Sequence, residues 1–306
     1  MFARPGLPSF DYVRAATPDE VVGRLLEHGA AARLRSTASL ALLMGGTDLF
    51  PRMRDGQVRP RVVLDVKHLP GQCDMRYDGQ TGLTIGAAVS LNQVARHIEV
   101  QTRYPLLAEA ANSVASYQVR SRATLGGNLC NASPAADTAP AVLVLDGRFL
   151  LFGPQGEREV RAGEFFLGPG RTAMQTGEFM TGIRFPVPQE QARGRYLKLG
   201  RSRAGDLAIA GVALYAFPDP GARSGWRFRI GLASVAPVPL RAHEAEDALA
   251  AEPLGKASFA LAAGYAAQAS RPIDDVRASA AYRKAMVHSL TLRGLQELAS
   301  AGPGLG

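Results

Sequence analysis

The stretch ATLGGNLCNASPAAD, residues 123–137, decides how this chain is read. Its side chains are almost all tiny; Leu125, Asn128, Leu129, Asn131 and Asp137 are the exceptions. Such a run is too polar and too small for an ordinary core segment, and too apolar for a flexible linker. Bare backbone lets N–H groups come close to a ligand, above all to an anionic one. Within the run, Thr124-Leu125-Gly126-Gly127-Asn128 offers a hydroxyl, a glycine pair and an amide. Ser133 and Asp137 follow with another hydroxyl and a carboxylate, and Pro134 stiffens the segment. The plainer alternative is a loop packed between helices.

The same chemistry occurs earlier in the chain. Leu42-Leu43-Met44-Gly45-Gly46-Thr47-Asp48-Leu49 is an apolar strand that ends in two glycines and a Thr-Asp pair. Thr47 and Asp48 suit ribose or ribityl hydroxyls, whereas the plain reading is a turn with Asp48 capping the next helix. Two such sites together suggest a pyrophosphate clamped between two loops. A third pattern is Tyr196-Leu197-Lys198-Leu199. In a strand, Tyr196 and Lys198 share one face and Leu197 and Leu199 the other. An aromatic ring beside an ammonium suits a planar, electron-rich ligand; the alternative is a solvated strand face.

Composition narrows the classes. The chain has 306 residues, 46% of them hydrophobic and 20% charged, enough for a large core or two to three domains. No apolar run reaches membrane-spanning length, and the N-terminus lacks the apolar run of a signal peptide, so a cytoplasmic protein without a transmembrane segment is expected. Cys73 and Cys130 cannot supply the four thiolates of an iron–sulfur cluster and are expected to be free thiols. The histidines lie far apart, without HExxH or CxxC, so no protein-held metal is expected. The formal charge is +8, carried mostly by dispersed arginines, a pattern unlike a nucleic-acid binder. The tightest basic group (Arg193, Arg195, Lys198, Arg201, Arg203) fits an anionic cofactor or an acidic partner surface better. There is no P-loop, no GxGxxG behind a strand and no GxSxG elbow.

Periodicity gives the organisation. A short strand at Tyr12-Val13 precedes Thr17-Pro18-Asp19-Glu20, a capping box that opens a helix ending at Gly29. Strands are expected at 40–44, 61–66 and 83–87, a second capping box at Ser90/Gln93, and a helix over 105–116. Further strands are expected at 141–145, 148–152 and 158–161. From Glu178 long alternating strands follow (181–185, 195–199, 207–217, 226–234), then helices at 243–251, 256–269 and 279–299. The pattern predicts an α+β chain with an antiparallel sheet and a C-terminal helical bundle.

GGTDL (45–49), TLGGN (124–128) with ASPAAD (132–137), Tyr196-x-Lys198 and ASVAPVPLRA (233–242) resemble the FAD-binding medium subunit of the molybdenum hydroxylases, the xanthine dehydrogenase and aerobic carbon monoxide dehydrogenase family. The resemblance covers residues 8–298. It implies a two-subdomain FAD-binding fold of the vanillyl-alcohol-oxidase type at 1–57 and 58–177, followed by a C-terminal domain at 178–306. It implies dissociable FAD, with Leu42–Leu49 and Thr124–Asn128 on its pyrophosphate and ribityl chain, Asp137 as a contact, and Lys198 and Tyr196 at the isoalloxazine. Molybdopterin and [2Fe–2S] clusters are then expected only on partner subunits, a large and a small one, in a dimer of heterotrimers. Electrons would pass through FAD to NAD or another acceptor. A stand-alone FAD-dependent oxidoreductase of the same fold, and a non-catalytic nucleotide-binding module, are the competing readings. Two departures stand out: Val114 takes the place of an aromatic found in the xanthine dehydrogenases, leaving Tyr196 to cover the ring, and residues 35–40 look like an insertion without an assigned role.

Overall fold

Thr17, Pro18 and Glu20 begin the first helix as their order requires. The Thr17 hydroxyl accepts from the Glu20 N–H, Pro18 fills the first position and the helix runs Pro18–Glu27. The Glu20 carboxylate reaches back one residue further than a capping box does, to the N–H of Ala16. Val21, Val22 and Leu25 form its buried face. A computed structural model describes residues 6–28, 39–202 and 205–301. Gly29, Arg203 and most of the 35–40 insertion lie outside those residues.

The chain divides into two compact units. One comprises Met1–Gln93, Tyr117–Ser133 and Arg148–Phe185, and the other Val94–Ser116, Pro134–Gly147 and Pro186–Gly306.

In the first unit, Asp11–Arg14, Val62–Asp65 and Leu40–Leu43 form a parallel sheet in that order, with Val62–Asp65 central. All four residues of the central strand are buried, as suits a parallel strand covered on both faces. A second sheet is antiparallel, ordered Met75–Asp78, Gly82–Gly86, Phe179–Phe185, Arg148–Gly153, Gly156–Arg161. The strand Phe179–Phe185, which a boundary at 177/178 assigns to a C-terminal domain, is therefore the middle strand of this earlier sheet.

In the second unit, Arg193–Leu199, Ala210–Pro218, Trp226–Ala233 and Leu240–Arg241 form a four-stranded antiparallel sheet. Alternation sorts its faces. Leu197, Val212, Leu214, Phe228 and Ile230 pack with Phe259, Val287 and Leu295 of the C-terminal helices. Gly294 brings the last helix, Ala280–Ser300, onto this face; a Cβ there would stand 2.3 Å from Leu214 Cδ1. Against the other face lies the helix Thr138–Val144, where a Cβ at Gly231 would meet the Pro140 carbonyl at 2.7 Å. This helix corrects the strand expected at 141–145. Every residue from Thr138 to Val144 is buried, so the segment has no polar side to reveal a helical period. The helix expected over 105–116 ends at Ser113.

Candidate functional site

Leu40–Leu43 delivers the chain to Gly45-Gly46, and each glycine is needed there for a different reason. Gly46 adopts φ +73°, a left-handed conformation that favours glycine. Gly45 lies so close to the neighbouring segment that a Cβ would stand 2.2 Å from the Arg122 carbonyl oxygen. The chain then turns into the short helix Leu49–Arg54. Asp48 occupies its N-cap position, yet its side chain makes no capping bond. Instead Asp48 Oδ1 accepts from Asn131 Nδ2 at 3.1 Å.

The second glycine pair is built differently from the first. Thr124 caps the helix Leu125–Cys130, its Oγ1 accepting from the Gly127 N–H at 3.0 Å, so both glycines lie in a helical turn. Gly126 is bare for packing: a Cβ would stand 2.6 Å from both the Cβ and the carbonyl oxygen of Ala87. Gly127 instead lines a cleft; a Cβ there would stand 2.8 Å from Thr124 Oγ1 and 4.0 Å from the Met44 Cβ. Thr124 also faces Met44, with Oγ1 3.8 Å from the thioether sulfur.

Between the two segments lies this open-mouthed cleft. It is lined by Leu42, Met44, Gly45, Gly46, Thr47, Asp48, Leu49, Thr124, Gly127 and Asn128, all of them anticipated, and by Ala123, Cys130 and Met180, which were not. Leu43, Leu125, Gly126 and Ser133 do not line it. Leu43 is buried with Met53 and Val63, and Leu125 is fully buried. Burial pushes the Cys130 thiol up to about 12, so it is a neutral wall rather than a nucleophile.

The backbone N–H groups of Gly45, Gly46, Thr47 and Asp48 meet no acceptor among the described residues. A run of free donors beside a glycine pair that leaves no room for side chains fits a phosphate-bearing ligand. Asp48 Oδ2, Thr47 and Asn128 add acceptors and donors for its hydroxyls. These residues fit the pyrophosphate and sugar part of FAD.

Asp137, Tyr196 and Lys198 come together in the second unit. Asp137 Oδ1 accepts from the Tyr196 hydroxyl at 2.8 Å, and Oδ2 from Lys198 Nζ at 2.7 Å. The same ammonium donates to the Ser113 carbonyl at 2.9 Å. Burial pushes the Asp137 carboxyl above its usual range, against the opposing pull of Lys198 and Tyr196. Burial and the neighbouring Asp137 hold the Tyr196 phenol well above its usual value. Tyr196 is thus an almost fully buried donor to Asp137, and Val114 is buried too. The other described cations of the basic group are also engaged within the chain: Arg195 with Glu109 and Glu297, Arg201 with Asp206, and Arg193 over the Trp226 ring. Cys73 and Cys130 are free thiols.

A parallel-sheet loop and a capped glycine helix around a donor-rich cleft fit a dinucleotide-binding protein. The family described as FAD binding domain in molybdopterin dehydrogenase matches residues 8–188, and the CO dehydrogenase flavoprotein C-terminal domain matches 195–298. The chain belongs to this family of FAD-binding medium subunits. It is 33% identical over 288 residues to the carbon monoxide dehydrogenase medium chain of Hydrogenophaga pseudoflava, covering 94% of this chain and 96% of that one. To the xanthine dehydrogenase FAD-binding subunit of Escherichia coli O157:H7 it is 29% identical, covering 96% and 97%. Among solved structures, the H. pseudoflava carbon monoxide dehydrogenase lacking the Mo-pyranopterin moiety of its cofactor contains a similar chain, at TM-score 0.87 and 34% identity, covering 95% and 97%. These relatives are medium chains or subunits of multi-subunit dehydrogenases. No helix among the described residues is long and apolar enough to cross a membrane.

Proposed function

We propose that this chain serves as the electron-relay subunit of a molybdopterin-dependent dehydrogenase, with the pyrophosphate and sugar chain of FAD in the cleft of the first unit. The observation that carries the assignment is the row of unaccepted N–H groups at Gly45–Asp48 beside Gly127. Bound FAD would supply a carrier that takes electrons from a [2Fe–2S] subunit and passes them to NAD or another acceptor. The chain's own part is to hold and orient it. Gly45 lets the loop lie against the Arg122 backbone and Gly46 lets it turn, which presents the free N–H groups; Thr47, Asp48 and Asn128 meet hydroxyls, and Leu42, Leu49 and Met180 supply apolar lining. Lys198 and Tyr196, both fixed through Asp137, are assigned to the flavin-ring end of the cofactor. Cys130 stands in the cleft wall as a free thiol, and the reading has the cofactor held by contacts alone.

The reading extends to a complex of this chain with a molybdopterin-bearing large subunit and a [2Fe–2S] small subunit, assembled as a dimer of heterotrimers in the cytoplasm. It also keeps a subdomain division near residue 57, with the C-terminal part of the chain beginning after Phe185. Co-expression with the neighbouring encoded subunits, followed by purification and an absorbance spectrum, tests it. A yellow preparation that carries iron and molybdenum subunits is expected. A yellow protein that purifies alone, and turns over a substrate unaided, would favour the stand-alone oxidoreductase. A colourless protein indifferent to added FAD would remove both.

A further inference from the structure

Asn131 was not among the expected contacts, and it does not line the cleft. It is nevertheless buried, and both ends of its side-chain amide are bonded. Its Oδ1 accepts from Arg52 Nη2 at 2.9 Å, and its Nδ2 donates to Asp48 Oδ1 at 3.1 Å. Arg52 and Asp48 flank the same turn of the helix Leu49–Arg54, and Asn131 follows the helix Leu125–Cys130. One amide therefore ties the helix that follows the first glycine pair to the helix that carries the second. Asp48 has no cap to make on its own helix, since the Phe50 N–H donates to the Gly46 carbonyl and Pro51 has no N–H, and its carboxylate is turned towards Asn131. Its second oxygen, Oδ2, accepts no hydrogen bond among the described residues, and Asp48 lines the cleft.

We propose that Asn131, clamped by Arg52, is a positioning residue that aims Asp48 Oδ2 at a sugar hydroxyl of the bound cofactor. The inference rests on the placement of FAD in this cleft. Asn131 never touches the ligand. It fixes the direction of a carboxylate that would otherwise rotate among its rotamers. An aimed acceptor avoids the ordering cost of binding, and a free one does not.

The test uses the full chain freed of flavin. FAD and FAD analogues lacking one ribityl or one ribose hydroxyl are titrated against the wild type, Asn131→Leu, Asn131→Asp and the exchange Asp48→Asn/Asn131→Asp. Asn131→Leu should raise the FAD dissociation constant about tenfold. One analogue should bind the wild type that much more weakly than FAD does, and should bind Asn131→Leu no more weakly than FAD does. Which analogue responds tells ribityl from ribose. A merely structural defect would weaken every analogue alike. In the exchange variant, the carboxylate now at position 131 accepts from both Arg52 and the new amide at position 48. The oxygen of that amide takes over towards the hydroxyl, so binding lost in Asn131→Asp should largely return. Equal FAD affinity of Asn131→Leu and wild type overturns the proposal, as does an exchange variant no better than Asn131→Asp; the latter decides the matter if Asn131→Leu does not fold. A wild-type chain that binds no FAD overturns the cofactor placement itself.

Discussion

Glycines at 45, 46, 126 and 127 look interchangeable in the sequence, but the space around each assigns it a separate task. Gly126 has Ala87 against it, so Gly126→Ala overpacks the first unit. A loss of about 1–3 kcal/mol in stability is expected, read by denaturant unfolding. Gly127→Val acts on the cleft. Its added methyls occupy the space towards Met44, and the Cβ crowds Thr124 Oγ1, which lies 2.8 Å from its position. FAD retention should be lost while circular dichroism still reports a folded chain. The residue pattern made the glycine pairs, Thr47, Asp48, Thr124 and Asn128 legible because their chemistry is local. Met180 was not legible, since nothing around Phe179–Phe185 marks one residue as a cleft wall. The Asn131–Asp48 bond joins positions far apart in sequence, and only the fold brings them together.

Helix starts were the most readable elements, because a cap and its partner sit within one turn. Ser90 and Gln93 form the reciprocal pair expected, the Gln93 side chain accepting from the Ser90 N–H and Ser90 Oγ from the Gln93 N–H. Thr124 is a cap of the same kind hidden inside the glycine-rich stretch. Thr124→Val keeps the shape and removes the acceptor for the Gly127 N–H. It should cost about 1 kcal/mol in unfolding free energy, and it should weaken FAD binding by loosening the turn that carries Gly127. The helix Thr138–Val144 escaped for the opposite reason. With Pro140 in its first turn and apolar neighbours on every side, Ala141–Leu145 carries no periodic signal, and β-branched valines favour a strand reading.

At the scale of the whole molecule, composition suggests consecutive domains, while the compact units interleave. Phe179–Phe185 must insert between Gly82–Gly86 and Arg148–Gly153 to complete its sheet, and no local feature announces so distant a pairing. The first unit also holds an ion pair that ties this return to the sheet's edge. Glu178 accepts from Arg158 Nε and Nη2 at 2.5 and 2.7 Å and from the Gln175 N–H at 2.6 Å. Burial pushes its carboxyl up, but the Arg158 hydrogen bonds and the Gln175 N–H outweigh it and hold the group below the usual range. A depressed carboxyl contributes stability above its unfolded value, about 4.3, and that contribution disappears as pH falls through the lower folded value. Glu178→Gln should therefore be less stable than wild type by about 1–3 kcal/mol near pH 7. The gap should narrow as the pH is lowered through and below the unfolded value of about 4.3. Thermal unfolding of both proteins across that range checks the sign; a gap that widens on acidification contradicts it.

The central claim is that backbone, rather than side chains, holds the dinucleotide between Leu42–Leu49 and Thr124–Asn128. Equilibrium titration of the flavin-free chain with FAD, followed by flavin fluorescence and run in parallel on folded Gly127→Val, tests this most directly. Saturable one-to-one binding by the wild type and none by the variant is the predicted result. Equal binding by both, or no binding by either, would contradict it.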